Sequence, residues 1–257
     1  MFKAREYVRV KSLEEAWNLN QKKSNVIVGG MMWLKMGRGQ KGTVIDLSGL
    51  GLDTIEETEE EFSIGCMCTL RQLELHEGLN KEFDGIFREC TRHIVGTQFR
   101  NGATVGGSVF GRYGFSDILT CLLALDSYVE LYQGGVIPLV QFTSMPYDRD
   151  VLVRIVIKKD GRKAAYLSQR NTQTDFPLIA CAAGKMGDDW YVSIGARPKR
   201  AAVYRISGTG KKADELAREA ASMFEYGSNL RGSGEYRAHL ANVYVRRLIE
   251  TIEKREA

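Results

Sequence analysis

The hydrophobic pattern changes character once along this chain, at the polar, proline-bearing stretch Met145–Asp150, and that change bounds the fold. Before it, short apolar runs alternate with helical periodicity and with glycine pairs. After it, strands follow one another and helices close the chain, the order of an α+β unit. The pattern predicts an α+β protein with domains at 1–148 and 149–257, the first divided near residue 53 into subdomains of about 1–53 and 54–148. A length of 257 residues with 44% hydrophobic and 26% charged residues suits one large globular domain or two modest ones.

Local signals place the elements. An extended, alternating stretch occupies Met1–Val10, and Ser12 with Glu15 forms a capping box ahead of a helix running to about Lys23. Asn25–Val28 reads as a buried strand ending at Gly29-Gly30, and Thr43–Leu47 as another. The acidic stretch Glu56–Glu61 reads as a solvated loop. A strand is expected at Phe62–Cys68, and helices at Thr69–His76 and Lys81–His93. Gln98–Gly111 is too glycine-dense for a helix or regular strand and reads as a structured loop. Ser116 caps an apolar helix through Leu125, and Tyr128–Tyr132 pairs with Val136–Phe142 around Gly134-Gly135. The C-terminal half should hold strands at 151–158, 164–169, 176–186 and 190–196, then helices at 211–224 and 233–254.

Bulk chemistry excludes several function classes. The net charge of +4 comes from scattered basic residues, so there is no electrostatic footprint for nucleic acid. No apolar run approaches the length that spans a bilayer, and a soluble, cytoplasmic protein is expected. Cys66, Cys68, Cys90, Cys121 and Cys181 form neither a disulfide framework nor a metal pattern and read as buried small hydrophobes in a reducing compartment. An iron-sulfur cluster needs about four suitably spaced thiolates, so any such cluster must come from a partner. His76, His93 and His239 have no ligand spacing, and neither a catalytic nor a metal-binding residue is assigned.

Two loops offer main-chain amides without side chains in the way: Val28-Gly29-Gly30-Met31-Met32-Trp33 and Ala103-Thr104-Val105-Gly106-Gly107-Ser108. Paired glycines admit close approach of a ligand, and successive N–H groups make a concavity for anions, so two such loops could grip a pyrophosphate from both sides. The same glycines could equally be tight turns. Ser116 and Asp117 could contact a ligand or simply start a helix.

The segment Arg100-Asn101-Gly102-Ala103-Thr104-Val105-Gly106-Gly107-Ser108, followed by Ser116-Asp117-Ile118 and Leu122-Leu123-Ala124-Leu125-Asp126, resembles the signature of the FAD-binding medium subunit of xanthine and carbon monoxide dehydrogenases. The early Val28-Gly29-Gly30 loop, the late Leu230–Arg237 segment and Val245-Arg246-Arg247-Leu248 are similar to further landmarks of that family, in the same order. The likeness spans essentially the whole chain.

This resemblance implies a two-subdomain FAD-binding domain of the vanillyl-alcohol-oxidase (PCMH) type followed by a C-terminal α+β domain with an antiparallel sheet and helices. It assigns Val26, Ile27, Val28, Gly29, Gly30, Met31, Met32 and Trp33, together with Ala103, Thr104, Gly106, Gly107 and Ser108, to the FAD pyrophosphate and its surroundings. Ser116 and Asp117 would reach the ribose, and Ile94 and Val95 would flank the isoalloxazine without the aromatic residue that some relatives carry there. Met31, Met32 and Ser168 depart from the family pattern. Arg231, Tyr236 and Arg237 read as structural. The implied role is electron relay, with molybdopterin on a large partner subunit, iron-sulfur clusters on a small one, FAD on this chain and NAD as acceptor. Rival readings are a stand-alone flavin oxidoreductase of the same fold and a scaffold subunit whose glycine loops are only turns.

Overall fold

Ser12 Oγ accepts the Glu15 N–H at 3.1 Å, and Glu15 in turn accepts the Lys11 N–H at 2.8 Å, so the first helix starts where the capping signal lies. The computed structural model describes residues 2–256. Met1 of the expected extended start and Ala257 of the C-terminal domain lie outside the described residues. The N-terminal unit is β1 (Phe2–Arg9), α1 (Leu13–Asn20), β2 (Val26–Val28), a single 3-10 turn (Leu34–Met36) and β3 (Gly39–Asp46). Its strands form a parallel sheet in the order β1-β3-β2. Consequently β2 runs toward the Gly29-Gly30 loop and leaves it at the carboxyl edge, where α/β layers hold ligands.

The middle unit contains β4 (Ile55–Glu57), β5 (Glu61–Gly65), α2 (Leu70–Leu75), α3 (Glu77–Glu82), α4 (Ile86–Thr91), α5 (Thr97–Gly102), α6 (Val105–Phe110) and α7 (Asp117–Leu123). It continues through β6 (Ser127–Leu131), β7 (Gly135–Pro138), α8 (Leu139–Ser144) and β8 (Leu152–Lys158). Its antiparallel sheet has the order β4-β5-β8-β6-β7. The strand after the proline-bearing break, expected to open the C-terminal domain, thus pairs back between β5 and β6. The remainder is β9 (Lys163–Gln169), β10 (Ile179–Met186), β11 (Asp189–Gly195), β12 (Ala202–Ser207), α9 (Ala213–Ser222) and α10 (Gly234–Glu256), with an antiparallel sheet ordered β12-β11-β10-β9.

Strand β10 explains how these units are joined. Alternate side chains of a strand point to opposite faces. Ala180 and Ala182 pack into the core shared with the first two units, whereas Ile179, Cys181 and Ala183 face α9 and α10. Small residues on the first face let α7 lie close against the sheet, and every residue of α7 is buried. The N-terminus of α7, with Ser116 and Asp117, therefore sits at the seam between the middle and C-terminal units.

Several local expectations are corrected. Gln98–Gly111 is not a loop but two short helices, α5 and α6, separated by the extended residues Ala103 and Thr104. Glycine is tolerated there because each helix is only six residues long and is anchored by tertiary contacts, α5 through the buried Arg100 and α6 through the buried Val105, Gly106 and Val109. The helix expected over Lys81–His93 is broken because Asp84 and Gly85 adopt φ values of 54° and 79°. The hairpin's second strand ends at Pro138 and gives way to α8. Part of the acidic stretch pairs as β4, and β12 was not foreseen.

One buried ion pair fixes the helices beneath the glycine-rich segment. Arg100 on α5 makes a two-pronged contact with Glu74 on α2, Nε to Oε2 at 2.8 Å and Nη2 to Oε1 at 3.2 Å. Its Nη1 also donates to the carbonyls of Arg92 and Ile94. Burial alone would raise the Glu74 carboxyl, but the bonds from Arg100 and Arg71 outweigh it and hold the group below its ordinary value. Its stabilising contribution is therefore complete above the ordinary carboxylate range and is lost as pH falls through the lowered value. Arg100→Ala, which leaves Glu74 with Arg71 as its remaining cationic partner and frees the Arg92 and Ile94 carbonyls, is expected to destabilise the fold by about 1–3 kcal/mol, measured by urea unfolding at neutral pH.

Candidate functional site

The two glycine-bearing segments meet. A Cβ placed on Gly30 would lie 1.3 Å from the Gly102 carbonyl oxygen, and one on Gly29 would lie 2.2 Å from Thr104 Oγ1. Only glycine allows the backbone of the N-terminal unit to approach that of the middle unit so closely. Directly after the pair, Met31 adopts φ 56°, the left-handed region that side chains other than glycine rarely occupy. The amides of Gly29, Gly30, Met31, Met32 and Trp33 find no acceptor among the described residues. Such a run of free N–H groups is an anion-binding concavity.

The seam opens into a cavity of 650 Å³, within the range of cofactor sites. Every residue assigned to the cofactor from the sequence lines it: Val26–Trp33, Ala103, Thr104, Gly106, Gly107, Ser108, Ser116 and Asp117. At one end the units are clasped by reciprocal bonds, Asn20 Nδ2 to the Arg149 carbonyl at 2.9 Å and Arg149 Nη1 to the Asn20 carbonyl at 2.8 Å. Ile94 and Val95 also line the cavity, and Val95 holds φ 52°, a strained conformation for a β-branched residue.

The second glycine pair plays a different part from the one expected. Its amides are already engaged: Val105 N donates to Cys68 O, Gly106 N to Cys66 O at 2.9 Å, Gly107 N to Thr104 Oγ1 and Ser108 N to Thr104 O. The segment is chiefly a structural wall, with the amides of residues 105–108 all engaged internally, whereas those of the first loop have no protein acceptor. Gly106 is required because a Cβ would fall 2.6 Å from the Cys66 carbonyl oxygen. Cys66 itself lines the cavity, but burial pushes its thiol up to about 12, which leaves it unreactive.

Trp33, assigned to the cofactor from the sequence, is joined in the lining by residues that were not singled out there. Trp33, Phe99, Phe115 and Phe176 form one ring cluster drawn from all three units, with Trp33 5.1 Å from Phe99 and 5.2 Å from Phe176, and Phe115 4.4 Å from Phe176. These rings lie far apart in sequence, and no short-range spacing could reveal the cluster. Arg170 was also missed. Its Nη2 lies 2.5 Å from Asp117 Oδ1, which also accepts from the Tyr166 hydroxyl. Burial pushes the Asp117 carboxyl up, while Arg170 and these bonds pull the other way. Arg237 is a buried staple, bonded to the carbonyls of Leu178, Gly227 and Gly232, as its structural reading expected. Among the described residues, no three His, Cys, Asp or Glu side chains are grouped to hold a metal ion. Gly106→Ala is expected to destabilise the fold by about 1–3 kcal/mol through overpacking against Cys66, read as a shifted denaturant midpoint.

Residues 1–159 match the family described as the FAD binding domain in molybdopterin dehydrogenase. Over its whole length the chain is similar to the nicotine 6-hydroxylase medium subunit of Paenarthrobacter nicotinovorans, 26% identical over 270 residues that cover 95% of each chain. It is similar also to the uncharacterized protein YgfM of Escherichia coli strain K12, 24% identical over 246 residues covering 93% of each. Among solved structures, a carbon monoxide dehydrogenase from Hydrogenophaga pseudoflava that lacks the Mo-pyranopterin moiety contains a chain that superposes with a TM-score of 0.85. The two share 21% identity, and the match covers 97% of both, which shows a common fold. With well over half its length matched and the glycine-lined cleft in place, the chain belongs to the family of FAD-binding domains of molybdopterin dehydrogenases.

Proposed function

We propose that this chain is the medium, FAD-carrying subunit of a molybdenum hydroxylase of the xanthine dehydrogenase type. The observation that carries this reading is the run of five amides without a protein acceptor, Gly29–Trp33, in residues that line the cavity. That donor set fits a pyrophosphate, and the ring cluster beside it fits planar ring systems. FAD held here supplies exchange between carriers of single electrons and an acceptor of electron pairs.

The chain's own residues bind and orient. Gly29 and Gly30 bring the two backbones together, and the amides of Met31, Met32 and Trp33 extend the anion site. Ala103, Thr104, Gly106, Gly107 and Ser108 form the opposite wall, and Ser116 and Asp117 close the cavity from the α7 side. Trp33, Phe115 and Phe176 exclude water from one end. No general acid or nucleophile is required of the protein in such a relay.

In this reading the electrons come from a molybdopterin-binding large subunit through iron-sulfur clusters on a small subunit, and leave to NAD⁺. The medium-subunit name of the Paenarthrobacter relative supports a multi-subunit assembly. Five free, buried cysteines that bring together no cluster-binding set support placing the clusters on a partner, and they suit a cytoplasmic protein. We place the domain boundary near residue 159, after β8, because that strand completes the middle sheet.

Titration of the purified chain with FAD, followed by quenching of flavin fluorescence, tests the reading. The wild-type chain is expected to bind, and Gly30→Ala, which must part the two backbones, to weaken binding about tenfold or more, equivalent to at least about 1.4 kcal/mol. Equal binding by both proteins, or none by the wild type, contradicts it.

A further inference from the structure

A strained residue on the cavity wall is held from behind by one buried side chain. Between α4 and α5 the chain turns over residues 92–97, where the Ile94 N–H donates to the Thr91 carbonyl at 2.8 Å. Ile94 and Val95 line the cavity, and Val95 sits there at φ 52°. A β-branched residue at positive φ costs free energy, so its surroundings must fix the conformation. Val95 is 38% exposed, which leaves packing a small share in that task. Arg100 on α5 supplies the rest. A guanidinium carries five N–H donors in a fixed plane, and here each has a partner. Nε donates to Glu74 Oε2 at 2.8 Å and Nη2 to Glu74 Oε1 at 3.2 Å, with Thr97 Oγ1 3.5 Å from Nη2. Nη1 donates to the carbonyls of Arg92 at 3.2 Å and Ile94 at 3.4 Å. The Ile94 carbonyl belongs to the peptide plane that φ of Val95 rotates, and the Arg100 N–H holds the Gly96 carbonyl at 3.0 Å on the far side of the turn.

We infer that Arg100 is a positioning residue for the cofactor cavity: clamped on Glu74, its fork holds the turn over residues 92–97 in the left-handed conformation that sets Val95 into the wall. Arg100 is buried and does not itself line the cavity, so it acts through the turn. A lysine in its place keeps a charge opposite Glu74 but carries its donors on a single mobile nitrogen, which cannot grip the carboxylate and both carbonyls at once. Val95 then relaxes toward negative φ, and the wall moves with it. The step from wall to cofactor rests on the FAD reading. The holding of the turn does not.

The test uses the full chain with Arg100→Lys, Val95→Asn and the double variant, with two readouts. The first is the Cα and Cβ chemical shifts of Val95 in protein without added cofactor, which report its backbone conformation. They are expected to be left-handed in character in the wild type and to move toward the extended range in Arg100→Lys. Unmoved shifts overturn the holding role. The second is FAD affinity by fluorescence titration. Arg100→Lys is expected to weaken binding about tenfold when Val95 is present, but by no more than about threefold when added to Val95→Asn. Asparagine enters the left-handed region at little cost and no longer needs the fork. This rescue separates positioning from a purely stabilising role, and an equal loss in both backgrounds overturns the action through the turn. Should Arg100→Lys fail to fold, Val95→Asn alone decides: release of a held strain raises its urea midpoint above that of the wild type, and a midpoint unchanged or lower overturns the proposal. A wild-type chain that binds no FAD sinks the flavin reading, while the Val95 shifts still decide the holding.

Discussion

The close approach of two main chains at Gly29-Gly30 and Gly102-Ala103-Thr104 is the constraint on which the rest of the molecule depends. With a Cβ on Gly30 falling 1.3 Å from a carbonyl oxygen, the N-terminal sheet could not seat against the middle unit in this position. That seating puts the loop after β2, whose amides have no protein acceptor, on the wall of the cavity. The cleft is therefore a product of how two units pack, and neither unit encloses it alone.

Around this contact the protein divides its labour between two similar motifs. The first glycine pair leaves its amides without a protein acceptor, and Met31 directly after it adopts a left-handed conformation. The second pair uses its glycines for packing, with Gly106 pressed on Cys66 and its N–H bonded there. Glycine's lack of a side chain serves ligand access in one case and core density in the other. The C-terminal unit completes the enclosure: β10 presents alanines to α7, and the loop ahead of β10 brings Phe176 to the ring cluster.

Much of this was legible in the sequence where signals are local. The Ser12 and Ser116 caps, the strand into Gly29-Gly30 and the strands of the C-terminal sheet before β12 each follow from adjacent residues, and the residues assigned to the cofactor do line one cavity. What stayed hidden depends on tertiary context. Glycine density over 98–111 argued against helix, yet tertiary contacts through the buried Arg100 in one and Val105 and Val109 in the other hold two short helices there. The membership of β8 in the middle sheet is a pairing across distant strands, which periodicity does not encode. Phe99, Phe115, Phe176 and Arg170 converge from three separated segments on the cavity that Trp33 also lines, and only the fold gathers them.

The central claim is that the main-chain N–H groups of the first loop receive the diphosphate of the cofactor. Backbone amide resonances of isotopically labelled protein, followed through a titration with FAD, test it most directly. The account predicts that the largest displacements fall on Gly29, Gly30, Met31, Met32 and Trp33, with smaller ones at Gly106, Gly107 and Ser108, whose amides keep their internal bonds. Displacements that leave Gly29–Trp33 unmoved while FAD binds elsewhere on the chain would contradict it.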